Sequence, residues 1–255
     1  MSGATSAALA AEWTKFRTVR GPRWTALALF VATVGLGAVI CVFTANDFQS
    51  VVGSSGYFDP VSTGFGGLML GQLAAVVLGV TVIGGEYASG MIRVSLAAVP
   101  VRGRLLFAKG VVLAAGVFVI GLITAFVTFF LGQALLGEHG TTIGAPGVLR
   151  AVIGCALYLT LLALFSLGAT TMLRSRTLAL GILVPFFFMV SSILQAIPGV
   201  KAFAKYLPDK AGQRIMDVHQ PSDASFGPWT GILITVLWVA AALCGGWLVL
   251  RQRDA

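Results

Sequence analysis

Residues 110–136 read GVVLAAGVFVIGLITAFVTFFLGQALL, 27 consecutive positions without an ionisable side chain. A helix rises about 1.5 Å per residue, so the run is long enough to cross the roughly 30 Å hydrocarbon core of a bilayer. Its apolar residues are continuous and do not alternate. Only helices and closed barrels satisfy their backbone groups in lipid, so the run reads as a membrane-spanning helix. Five further stretches have the same character: 24–45, 63–85, 151–173, 177–197 and 229–250. The composition agrees, with 57% hydrophobic and only 10% charged residues, where a soluble domain needs about 25% charged to face water. The expected fold is therefore all-α and polytopic: one membrane domain, 1–255, with a six-helix core over 24–250.

The basic residues set the orientation. Lys15, Arg17, Arg20, Arg23, Arg93, Arg102, Arg104, Lys109, Arg174, Arg176, Arg251 and Arg253 fall on one side of these spans, and Arg150, Lys201, Lys205, Lys210 and Arg214 on the other. The richer side is cytoplasmic by the positive-inside rule, so both termini are expected inside, in a multi-pass protein of the cytoplasmic (inner) membrane. The net charge of +8 does not suggest nucleic acid, because the bases punctuate apolar runs and form no patch. Cys41, Cys155 and Cys244 are isolated within apolar runs, as buried free thiols are. His139 and His219 sit in outer loops without a partner at metal-ligand spacing. No cleavable signal peptide is expected, since five charged residues precede the first long apolar run.

Three segments outside the spans carry structure. Residues 4–20 read as a helix in which Leu9, Trp13 and Phe16 form an apolar stripe with Glu12 and Lys15 off it, so 1–23 is expected to lie amphipathically on the membrane surface. The outer loop 198–228 is broken by Pro198, Pro208, Pro221 and Pro228, and 208–218 can form a short helix lying at the outer surface. The inner loop 84–109 reads GGEYASGMIRVSLAAVPVRGRLLFAK. Glu86 opens it, 88–96 suits a short helix, and Pro100 ends that element. A compact helix held between two spans suits the docking of a soluble partner; an ordinary basic loop would carry the same charges. Gly67 and Gly71 make a GxxxG pair suited to close helix approach, and Pro185 should kink the fifth span.

The run Gly85-Glu86-Tyr87-Ala88-Ser89-Gly90-Met91-Ile92-Arg93, followed by Leu96, Pro100, Arg102 and Lys109, resembles the inner-loop signature of type-2 ABC-transporter permeases. The opening Glu12-Trp13-Thr14-Lys15-Phe16-Arg17-Thr18 is similar to the start of the same family, especially its actinobacterial members, and Tyr206-Leu207-Pro208 with Ala211-Gly212 to its last outer loop. The resemblance implies a permease subunit, paired with a second permease (another copy, as a homodimer, or a related chain) and with two ABC ATPase subunits. ATP and Mg would bind those partners, and this chain would hold no cofactor. It also implies that 88–96 is a coupling helix seated on the ATPase within the loop 86–109. Glu86, Tyr87, Gly90, Arg93 and Arg102 would serve that contact, together with Glu12, Lys15 and Arg17 of the surface helix and Arg174 and Arg176 of the second inner loop. The second and fifth spans would line the path.

No Gly-Lys dipeptide occurs, so a P-loop, whose lysine must reach the phosphates, is not expected here. The spans as delimited hold no charged residue, only polar ones, among them Gln72, Gln133, Gln195, Thr124, Thr128, Ser191 and Ser192. Intramembrane ionisable groups mark ion pathways and catalytic centres. Their absence argues against an ion-coupled carrier and fits an apolar or amphipathic substrate, drug-like or lipid-like, with Gln72, Phe186 and Phe187 as path residues; that the movement is ATP-driven export is what the family resemblance implies. A gradient-driven carrier or channel, and a non-transporting anchoring or sensing subunit of an ABC complex, are the alternative readings.

Overall fold

The computed structural model describes residues 2–49, 53, 58–99, 101–197, 199–218 and 225–252. Pro100, Pro198, His219, Pro221 and Arg253 lie outside the described residues. Every regular element among those described is helical. In chain order these are α1 (Ser2–Thr18), α2 (Arg20–Asn46), α3 (Pro60–Gly64), α4 (Leu68–Ser89), α5 (Met91–Ala98), α6 (Arg102–Leu136), α7 (Val148–Leu173), α8 (Arg176–Pro185), α9 (Ser191–Ala196), α10 (Lys201–Ala204), α11 (Pro208–Gln213) and α12 (Pro228–Gln252).

Among the described residues, six helical stretches are long and apolar enough to cross a membrane: Arg20–Asn46, Pro60–Ser89, Arg102–His139, Val148–Leu173, Arg176–Ala196 and Pro228–Gln252. They match the expected spans, though the third helix begins eight residues earlier than the apolar run. Burial ranks them. The second and fourth stretches are 56% and 61% buried, against 22% for the first, fifth and sixth, so α4 and α7 form the core and the others turn faces to lipid. The Arg102 guanidinium, at the start of α6, donates to the Leu250 carbonyl at the end of α12, so these two helix ends lie at one end of the bundle.

Hydroxyls inside these helices bond their own backbone. Thr33, Thr124, Ser166, Thr170 and Thr171 each donate to the carbonyl four residues back, at 2.6–2.8 Å, the usual solution in a medium without water. The GxxxG pair is used within the chain. A Cβ on Gly67 would stand 2.0 Å from the Thr33 carbonyl oxygen, and one on Gly71 2.0 Å from the Thr33 hydroxyl, so α4 lies directly on α2. Pro185 ends α8, and a π-helical turn at Phe186–Val190 joins it to α9, as expected where the ring removes a backbone donor.

Two expectations are revised. Residues 208–218 do not lie at the outer surface: Asp209, Ala211, Gly212, Ile215 and Met216 are buried where α11 packs against α7 and α12, and Thr235 of α12 donates to the Pro208 carbonyl at 3.1 Å. Small residues at 211 and 212 permit that approach. On α1, Trp13 is exposed, whereas Ala8 and Glu12 are buried. The buried face of α1 therefore carries Glu12 and leaves Trp13 of the apolar stripe outside.

Candidate functional site

What Glu12 meets is a buried ion network at the end of the bundle shared by α1, α5 and the start of α6. Val19, extended at φ −71° and ψ 132°, turns the chain so that α1 folds back over the spans. Phe16 then packs on Gly116 of α6. Lys109, two turns into α6, donates to Glu12 Oε2 at 2.9 Å and to Glu86 Oε1 at 2.6 Å. Lys15 donates to Glu12 Oε1 and Glu86 Oε1, both at 2.8 Å, and reaches Ser95 Oγ of α5 at 3.5 Å. Two acids and two bases cancel, and Glu12, Glu86 and Lys109 are 5%, 8% and 1% exposed. Burial disfavours the Lys15 ammonium, but hydrogen bonds to Glu12 and Glu86 and their charges outweigh it, holding its pKa above the ordinary lysine value. The four side chains thus clamp α1, α4, α5 and α6 together.

Backbone geometry sets α5 at an angle to α4. Gly90 takes φ +71°, a left-handed conformation that favours glycine, and it separates the end of α4 from α5. The short helix therefore begins at Met91 and not at Ala88. Val99, which precedes Pro100, leaves the helical region at φ −124° and ψ 85°, as residues before proline do. On α5, Ile92 and Ser95 point inward and are buried, whereas Arg93 is exposed beside Met91 at 50% and Val94 at 65%. One face braces the spans and the other presents a cation between two apolar side chains.

The expected coupling residues thus separate into two groups. Glu12, Lys15 and Glu86 face inward into the network. Arg17 and Arg93 are exposed, as is Arg176, whose stem covers Gly84. Tyr87 has its hydroxyl buried beside the Arg174 guanidinium, without a well-aligned hydrogen bond, and Arg174 takes a left-handed φ of 54° at the end of α7. Arg102 ties α6 to α12. Lys109 is the residue that sequence reasoning left out of the site. Its signal was present: a lone base among Phe107, Ala108 and Gly110, at the same boundary as two lone acids, Glu12 and Glu86.

At the opposite end a second polar cluster forms around Gln72. Tyr158 of α7 donates to Gln72 Oε1 at 2.6 Å, and Gln213 of α11 donates to the same atom at 3.0 Å. Gln72 Nε2 lies 3.5 Å from the Phe187 carbonyl within the π-turn. A cleft of about 310 Å³ opens here, lined by Gln72, Gln213, Lys210 and Ser192 on one part and by Met69, Phe187 and Phe188 on another. Of the expected path residues, Gln72 and Phe187 line it, and Phe186, partly buried, packs against the core outside its lining. Tyr158 and Gln213 were not foreseen, because only folding brings α11 to α4.

Beside the cleft, Asp209 is fully buried; Ser191 donates to its Oδ1 at 3.0 Å and Lys210 Nζ stands 3.8 Å from Oδ2. Burial pushes its carboxyl above the ordinary range, against the opposing pull of Lys210. A raised folded pKa favours the native state below the unfolded value and loses that contribution as pH rises through the folded one. Asp209→Asn is therefore expected to unfold at a higher temperature than the parent near neutral pH. In detergent melts the difference should vanish well below the ordinary carboxylate range.

The chain matches a family model described as ABC-2 family transporter protein over residues 8–192. No curated protein matches it significantly.

Proposed function

The chain belongs to the ABC-2 family of transporter proteins and is a multi-pass membrane subunit; from this we propose that it is the permease of an ATP-driven exporter whose ATPase is a separate protein. The observation that carries the reading is the ion network. It joins α1 and α5, which offer exposed surface at one end, directly to α4 and α6, which cross the membrane. A load applied to α5 through Met91, Arg93 and Val94 would reach both spans through Glu86, Ser95 and Lys109, without a flexible link between.

In this reading two ATPase copies, each binding ATP and Mg, engage two permease copies. The distribution of arginine and lysine supports an α5 end that faces the cytoplasm from the inner membrane. Closure of the ATPase pair pushes α5 and α1, and the spans rock between inward- and outward-open states, as coupling by differential contact requires. Arg17, Arg174 and Arg176 would contribute further contacts on the same face. The cleft at Gln72 pairs amide and lysine side chains with phenylalanines, which supports an amphipathic, drug-like or lipid-like cargo moving along α4 and α8–α9.

The test is copurification from detergent with the ATPase subunit, followed by cargo-stimulated ATP hydrolysis. Arg93→Ala combined with Val94→Asp alters only exposed side chains. It is expected to reduce stimulated hydrolysis at least about tenfold while leaving the unfolding temperature unchanged. Topology mapping that puts Arg93 outside the cell, or cargo movement by the purified chain alone, would overturn the reading. The second outcome would favour a gradient-driven carrier, for which the buried Lys109 and Glu86 would be the groups to investigate.

A further inference from the structure

On the flank away from α4, α6 and α12 leave an open groove of about 480 Å³, floored by Leu164 of α7. From Gly103 to Ala114 it follows α6 for about 17 Å at a helical rise of about 1.5 Å per residue, close to one leaflet of a roughly 30 Å hydrocarbon core. Its walls are apolar, with Leu106, Phe107 and Val111 on one side and Leu243, Cys244 and Trp247 on the other, and no described lining residue is ionised. Gly103 and Gly110 carve the α6 wall: a Cβ on Gly103 would press on the Trp247 ring, and one on Gly110 would come no nearer than 3.8 Å to Leu164 and 4.0 Å to Leu167.

The mouth of the groove is basic. The Arg251 guanidinium lies over the Trp247 ring at 5.6 Å, and Arg104 stands one turn before Phe107 on α6. Arg102, bonded to the Leu250 carbonyl, closes the end of the groove between the two helices. The N-terminus of α6 adds its positive dipole. The Trp247 indole N–H has no acceptor among the described residues, at the depth where interfacial tryptophans meet headgroups and esters. A one-leaflet apolar slot with cations at its mouth matches one ligand class in charge and length: an anionic phospholipid.

We infer that the α6–α12 groove is a specific site for an anionic phospholipid, which lays one acyl chain along Gly103–Ala114 and sets its phosphate between Arg104 and Arg251. The site depends on the six-span architecture and not on transport or on the identity of a partner. It would fasten the end of α6 that carries Lys109, and so steady the network from the lipid side.

The test uses the full chain in micelles containing equal amounts of phosphatidylglycerol and phosphatidylcholine, with intact-protein mass spectrometry as the readout. One phosphatidylglycerol per chain should be retained, preferred about tenfold or more. Arg104→Gln with Arg251→Gln should bring the two lipids to parity. Gly110→Leu, which changes no charge, should remove retained lipid of either class. Cys244 is the exposed thiol among three free cysteines, so a bulky maleimide attached there should displace the lipid from otherwise native protein. Parity of the two lipids in the parent chain would overturn the inference. So would retention that survives both Gly110→Leu and Cys244 modification, or oxidative Cys244–Cys244 crosslinking, which would mean that a second copy covers the groove.

Discussion

Lys109→Met is expected to destabilise the folded chain by about 3–5 kcal/mol, the usual result of removing one partner from a buried ion network. Methionine matches the lysine stem in length, so the loss is electrostatic and not a cavity. Glu12 and Glu86 would then share only Lys15, which is itself part-exposed, and would leave an uncompensated negative charge where Lys109 was 1% exposed. The second half of the experiment separates charge from shape. Lys109→Met with Glu86→Gln restores neutrality and should recover more than half of the lost stability, a coupling that independent sites do not give. Thermal unfolding in detergent measures both variants. If the double variant is no more stable than Lys109→Met alone, the four groups do not act as one network.

The second large effect falls at Gly67. A methyl group there would sit 2.0 Å from the Thr33 carbonyl oxygen and 2.6 Å from the Gly37 nitrogen, backbone atoms that no side-chain rotation can move aside. Gly67→Ala should therefore separate α2 from α4. The expected outcome is at least about 3 kcal/mol of destabilisation, at the upper end of overpacking effects, and a large fall in the yield of monodisperse protein. Gly35→Ala on the same α2 helix is the control, because its Cβ would meet nothing within 4 Å. That variant should be neutral, or stabilising by up to about 1 kcal/mol through helix propensity. Equal losses at the two positions would mean that the glycines matter for helix propensity and not for contact.

Lipid as the solvent made much of this fold legible before folding was considered. A 27-residue run without ionisable side chains has one stable backbone solution in a bilayer, so the six spans, a kink at Pro185 and the break before Pro100 follow from local chemistry, whereas the π-helical form of the turn after Pro185 does not. The short helix between spans two and three was legible too, since Pro100 ends it, although its start was read at Ala88 and the left-handed Gly90 moves it to Met91. What each polar residue does was not. Glu12 and Lys15 look like solvated flanking charges, and Lys109 like the edge of a span. Which of them is buried depends on α1 folding back over α6 and bringing residues 97 positions apart within 2.9 Å. Gln72 likewise gains its role only when α11, which sequence reading left at the surface, inserts beside α7. Apolar run length is a property of neighbours in the chain and reports on the membrane directly. Charge pairing is a property of neighbours in space, and only the tertiary arrangement decides whether an exposed-looking carboxylate finds a counterion or water.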